Sequence, residues 1–184
     1  MNSEFENQKR ESVFSCLLLA RKPNACAEVL AELAKEDELA IRFEVARNIN
    51  TSAETLAELA KDEFNCVRLA VAEHRHAPEE TLTELAKEED AYICCAVARN
   101  GNTSAETLAE LAKEDDFQIR WWVAHNKNTP VEVLQCLADD VYEELKVREA
   151  AAKTISQIDL LSPKMNIDPV SPKKETTDSP KMKL

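Results

Sequence analysis

The chain has 184 residues and a formal net charge of −12, with one Gly, seven Pro and six Cys. That charge argues against wrapping a phosphate backbone, an affinity that comes mainly from Lys and Arg, and it suits steering toward a basic protein partner. A single Gly leaves few positions for hairpin turns, while abundant Ala, Leu, Glu and Lys favour helix.

A membrane helix needs roughly 20 apolar residues. The longest apolar run, Ala91–Ala98, has eight, so no membrane span is expected. The opening MNSEFENQKRES has no basic region leading into an apolar stretch, which reads as no secretory signal and points to a cytoplasmic protein. Cys16, Cys26, Cys66, Cys94, Cys95 and Cys136 form no CxxC pair and no zinc-like spacing with His, so they read as free thiols.

Residues 1–12 are polar and read as a flexible lead-in. From residue 13 a 26-residue period takes over: VFSCLLLARKPN at 13–24 is a half-repeat, followed by repeats at 25–50, 51–76, 77–102 and 103–128 and a capping repeat at 129–156. Residues 45–61 and 97–113 are the same 17-residue text except for Ile49 against Gly101. Leu30, Leu56, Leu82, Leu108 and Leu134 stand one period apart, as do Val45, Val71, Val97 and Val123. Such self-similarity is the mark of stacked supersecondary units.

Each unit reads as helix, turn, helix, turn. Thr51 and Thr103 are expected at the N-cap of the first helix, with Glu54 and Glu106 completing a capping box. Pro78 and Pro130 are expected in the first helical turn. Ala53, Leu56, Leu59 and Ala60 form the expected apolar stripe, and the small Ala60, Ala86, Ala112 and Ala138 would let helices approach closely. The second helix starts after acids such as Asp115-Asp116, carries Ile119 and Val123 inward, and ends at Asn126, where a left-handed exit is expected. The sequence leaves open whether this second element is an α-helix or a shorter, 3₁₀-like one. In the last unit two extra residues precede Val147-Arg148, as suits a cap. Residues 157–184, rich in Pro, Ser and Lys, with Ser162-Pro163-Lys164, Ser171-Pro172-Lys173 and Ser179-Pro180-Lys181, read as a disordered tail.

Repetition stacks equivalent residues into ladders. Asn24, Asn50, His76, Asn102 and Asn128 make one, and Asn48, His74, Asn100 and Asn126 another; both read as turn-closing residues rather than a binding strip. Arg42, Arg68 and Arg120, with Lys146 in strict register, make a basic ladder broken at Cys94. Glu32, Glu58, Glu84 and Glu110 read as outer surface. Trp121 replaces apolar residues and reads as core; Trp122 replaces Glu44, Ala70 and Ala96, so either it stands exposed beside Gln118 and His125 or it packs against the cap. No phosphate loop, nucleophile with a positioned His, or distinct carboxylate pair is present, so the chain reads as a non-enzyme.

The unit I/V-R-x-x-V-A-x-N-x-N-T-S/P-x-E-x-L-x-x-L-A, as in Ile119–Ala138 and, with His for Asn, Val67–Ala86, resembles the bacterial leucine-rich repeat variant family, and shares parts with HEAT-type repeats. The resemblance covers residues 13–156 and implies an all-α, right-handed α-solenoid of about five two-helix repeats. The founding structure of that family alternates α and 3₁₀ helices and holds a cysteine-bound iron–sulfur cluster. Here only Cys16 and Cys26 lie near the N-terminus, so no cofactor is expected. The leading functional expectation is a non-catalytic scaffold for protein–protein interaction, binding through the face of Arg47, Arg99, Gln118, Trp122 and His125. The alternatives are a HEAT-like enzyme or accessory factor, of DNA glycosylase or bilin lyase kind, and an iron–sulfur or redox protein. Nothing in the sequence defines an oligomeric state.

Overall fold

The computed structural model describes residues 2–161, which fold into eleven α-helices with no strand among them. They are α1 (Asn2–Ala20), α2 (Ala27–Leu33), α3 (Leu39–Arg47), α4 (Ala53–Leu59), α5 (Asn65–Glu73), α6 (Glu79–Leu85), α7 (Ala91–Arg99), α8 (Ala105–Leu111), α9 (Phe117–His125), α10 (Val131–Asp139) and α11 (Leu145–Leu161). Helix α1 runs through most of the stretch that polarity alone marks as flexible; its Glu, Gln, Lys and Arg are good helix formers, with no Gly or Pro between them. Helix α11 likewise carries the fold to Leu161. The Ser-Pro-Lys triplets lie outside the described residues.

Both elements of every unit are α-helical, which settles the point the sequence leaves open, and the second is the longer of the two. In the three units from 25 to 102 the first helix has 7 residues and the second has 9. No residue among those described has positive φ, so the turn after each second helix is extended, not left-handed: Asn48 at the α3 C-cap has φ −74° and ψ 127°.

The caps also differ from the expected register. Ser52 and Ser104, not the threonines before them, cap α4 and α8, each hydroxyl accepting from the N–H of Thr55 or Thr107 at 3.2 Å. Pro78 and Pro130 occupy the same N-cap position in α6 and α10. Thr51, Thr103 and Thr129 are buried, and their hydroxyls donate to the carbonyls of Val45, Val97 and Val123 at 2.6–2.7 Å. They close the preceding second helix rather than open the next one. Glu54 keeps part of its expected role, because its own N–H and the Ser52 hydroxyl hold its carboxylate below the usual range. Second helices begin as expected, with Asp116 accepting from the Gln118 N–H at 2.7 Å and Asp90 from that of Tyr92 at 2.9 Å.

The core is one continuous column. Leu30, Leu56, Leu82, Leu108 and Leu134 are each no more than 1 % exposed, and Val45, Val71, Val97 and Val123 are fully buried. On the first helix Thr55, not Ala53, joins the buried stripe, and the same holds for Thr81 and Thr107. Along the second helices α3, α5, α7, α9 and α11 pack directly on one another. Neighbouring first helices do not close up in that way. A cleft of about 240 Å³ lined by Ala57, Ala60 and Thr81 separates α4 from α6, and one of about 380 Å³ lined by Ala86, Thr107 and Leu111 separates α6 from α8. Ala60 and Ala86 are therefore half-buried at groove edges, and Ala112 is half-buried in the equivalent position. A stack that is tight along one row and open along the other curves toward the tight row.

Candidate functional site

The two polar ladders are unit-to-unit ties. Asn48 is buried and its amide donates to the carbonyls of Ala20 and Lys22 at 2.5 and 2.9 Å. Asn100 does the same to Ala72 and His74 at 2.7 and 3.0 Å, and Asn126 to Ala98 and Asn100 at 2.7 and 2.9 Å. The Oδ1 of each accepts from the N–H two residues on, at 2.9–3.0 Å. Asn50, Asn102 and Asn128 donate to carbonyls of the preceding turn, those of Pro23, Arg75 and Gly101, at 2.7–2.8 Å. In the odd unit, Nδ1 of His74 accepts from the His76 N–H at 3.0 Å, which leaves Nε2 protonated to donate to the Asn48 carbonyl at 2.9 Å. Both ring nitrogens are engaged, so the histidine does the work of the asparagine amide. Burial pushes its pKa down.

The arginine ladder is a second set of ties. Arg42 donates through Nη1 to the carbonyls of Glu36 and Asp37 at 2.9 and 2.8 Å, and through Nε to Asp62 in the next unit at 2.5 Å. Arg68 repeats this with the Asp62 carbonyl at 2.8 Å and Glu88 at 2.9 Å, and Arg120 with the Glu114 carbonyl at 2.6 Å and Glu143 at 2.5 Å. Such charge-assisted, half-buried forks are the strong kind of ion pair. Burial pushes the Asp62 carboxyl up, but the Arg42 guanidinium and the Phe64 N–H outweigh it and hold it below its ordinary range; Arg120 holds Glu143 low against burial in the same way. At Cys94 the tie is missing: the thiol stays within its own unit, at the Glu88 carbonyl at 3.1 Å and the Ala86 carbonyl at 3.8 Å, and it brings no guanidinium to the carboxylate of Glu114, which is in register with Asp62 and Glu88. Burial, with Glu114 next, raises the Cys94 thiol to about 11, so it is inert as a nucleophile at neutral pH. All six cysteines are free.

Lys146 does not belong to this ladder. The two inserted residues shift α11 so that Arg148 takes the place, donating to the Ala138 carbonyl at 3.2 Å, as Cys94 faces that of Ala86. Thr154 likewise replaces the ladder asparagine, donating to the Ala124 carbonyl at 2.7 Å. Lys146 is thereby moved onto the solvent face of the second-helix row, beside α9.

On that face the side chains left over from structural duty come together. Helical spacing lines up Gln118, Trp121, Trp122 and His125 on α9. The two indoles meet edge to face at 4.7 Å between centroids, and His125 lies 4.1 Å from Trp121, its Nδ1 2.8 Å from the Trp121 carbonyl oxygen. Arg99 of α7 stands over the Trp122 ring at 5.3 Å and pairs with Glu73 at 2.8 Å. Beside them Phe117, Gln118, Trp121, Trp122 and Lys146 line a cleft of about 420 Å³. Trp121, expected in the core, packs on it with one side and lines this cleft with the other. Trp122 is half-buried, while Gln118, His125 and Arg99 are exposed.

Four of the five expected site residues therefore share one surface. Arg47 does not join them. It lies at the other end of the row, its guanidinium 5.5 Å from the Phe43 ring, and lines a separate cleft with Arg21 and Glu44; in its own register position Glu73 sits between it and Arg99. Phe117, Trp121 and Lys146 are the lining residues outside the set expected from the sequence. The signal for Lys146 was the two-residue insertion, which strict register ignores.

Charge is segregated between the two rows. Each first-helix half of a repeat carries three to six acids against at most one Lys. The second-helix halves 91–102 and 117–128 contain Arg99, Arg120 and Lys127 and not one Asp or Glu. Glu32, Glu84 and Glu110 on the first helices pair with Lys35, Lys87 and Lys113 three residues on, at 2.7–2.9 Å, in fully solvated contacts of little energetic weight.

The fold and the site define an all-α solenoid of two-helix repeats with an aromatic, acid-poor surface. No protein-family model and no curated protein matches the chain. Among solved structures it is similar to a leucine-rich repeat variant described as having a novel repetitive structural motif, at 20 % identity and a TM-score of 0.38 over 76 % of this chain; it covers 64 % of that protein's length. It is also similar to an engineered protein, at 16 % identity and a TM-score of 0.43, over 84 % of this chain and 91 % of the other. No helix among the described residues is long and apolar enough to cross a membrane.

Proposed function

We propose that the protein is a non-catalytic scaffold that binds a protein partner through the solvent face of α7, α9 and α11. The observation that carries this reading is the cleft at Trp121 and Trp122. Large aromatics held by the fold, with an arginine at their edge, are the residues that most often anchor interfaces. Here two Trp stand where the other units place Phe43, Leu69 and Cys95, or Glu44, Ala70 and Ala96. The ladder Asn side chains, His74, Arg42, Arg68 and Arg120 are occupied in holding units together, which supports a structural rather than a catalytic use of them.

The test is affinity capture from the native cell with the full chain, run beside Trp122→Ala and the first-helix control Glu84→Gln. A partner retained by wild type and by Glu84→Gln and lost with Trp122→Ala supports the reading, provided the melting temperature of the variant shows it folded. A partner that Trp122→Ala retains and Glu84→Gln loses would place the interface on the opposite row.

A further inference from the structure

The net charge of the chain points to a basic partner, but the local charge of the aromatic face has the other sign. We infer that the cleft between α9 and α11 receives an acidic peptide segment with an apolar anchor residue, a deduction that rests on the interaction surface proposed above. The anchor fits a cleft of about 420 Å³ walled by Phe117, Trp121 and Trp122. Its rims are cationic: Lys146, exposed, is the one charged residue lining the cleft, and Arg99 closes the far side of Trp122 at 5.3 Å.

Acids are sparse along the helix faces that wall this place, with Asp116 capping α9 at its edge and accepting from the Gln118 N–H at 2.7 Å. Helices α7 and α9 contain none, and the nearest acid of the preceding second helix, Glu73, is already engaged by Arg99 at 2.8 Å. Glu149 is the one acid of α11 in register with Trp121, and Lys146 and Lys153 flank it on the same helix face. A basic segment would instead be drawn to the first-helix row, where every unit presents a surplus of Glu and Asp but no tryptophan is available to anchor it. Apolar pocket and cationic rim coincide at α9, and together they select an anchor flanked by Asp or Glu.

The experiment selects peptides from a displayed random library on the immobilised full chain, then measures synthetic copies of the winners in solution. Both tryptophans of the chain lie in the cleft, so intrinsic fluorescence reads occupancy directly. The expected winners carry an aromatic or Leu anchor next to acids. Their affinity should fall at least about tenfold in Trp122→Ala and in Lys146→Glu, fall on raising salt from about 0.05 to about 0.5 M, and stay unchanged in Lys113→Glu on the first-helix row. Winners that are neutral or basic, yet still lost in Trp122→Ala, would overturn the acidic partner while leaving the interaction surface standing. Winners indifferent to Trp122→Ala would remove both. A fluorescence response to a DNA or RNA oligonucleotide, with none to acidic peptides, would overturn the inference in favour of a nucleic-acid ligand.

Discussion

The second-helix row and the first-helix row of this solenoid are made from the same repeat but are held together differently. From α3 to α11 each unit is tied to the one before or after it by Asn amides, a His ring or a Thr hydroxyl donating to main-chain carbonyls, and by Arg forks reaching the next unit's acid. Along α4, α6 and α8 the ties are sparser: Thr83 and Thr107 share one hydroxyl contact at 2.9 Å, Ala and Thr edges leave clefts, and Glu–Lys pairs stay within one unit. The difference teaches where change is costly. Where the repeat must transmit structure its residues are constrained, and the side chains free to vary on the tight row are the outward ones at 118, 121, 122 and 125 and their equivalents.

The largest effect that contrast predicts is at a buried amide. Asn100→Ala leaves the carbonyls of Ala72 and His74 without their donor and should cost about 2 kcal/mol or more in denaturant unfolding. An equally polar change on the open row, Glu84→Gln, should move the midpoint hardly at all.

Next is the missing tie. Cys94→Arg supplies the guanidinium that Glu114 lacks and should raise stability by about 1 kcal/mol, a gain of about 2–4 °C in melting temperature. Arg68→Cys copies the exception into a regular joint and should lose a similar amount. If both variants melt with wild type, the forks contribute nothing and the contrast between rows rests on the amides alone.

A smaller effect separates His74 from its Asn equivalents. Burial lowers its pKa from the ordinary 6.5, so protons bind the unfolded chain more readily than the folded one. Its neutral form is matched to the fold above that value, and stability drains as pH falls below it toward the lowered folded-state value. His74→Asn installs the ladder's usual residue and should flatten the stability profile on the acid side of 6.5. The smallest effect belongs to the open row itself. Ala86→Leu fills the edge of a groove rather than a sealed seam and should stay within about 0.5 kcal/mol of wild type.

Much of this was legible from spacing. The period placed Leu56, Val71 and their equivalents in the core, the structural duty of both Asn ladders followed from turn chemistry, and Gln118, Trp122, His125 and Arg99 do share a face. What periodicity could not reveal was which of two adjacent hydroxyls caps a helix. Thr51 and Ser52 are equally good in the text, and only the three-dimensional turn gives Thr51 a carbonyl to close. It also could not show that small Ala residues border open clefts, since a seam and a groove edge share the same pattern. Arg47 fell out of the site because one repeat, with Glu73 in its place, separates it from Arg99; Lys146 entered because an insertion of two residues turned α11.

The most direct measurement is hydrogen exchange on the full chain alone and bound to the protein it captures. A partner on the aromatic face should add protection in Ala91–Arg99, Phe117–His125 and the start of α11, with α4, α6 and α8 unchanged. Protection confined to α4, α6 and α8, with α9 exchanging as in the free chain, would contradict that placement.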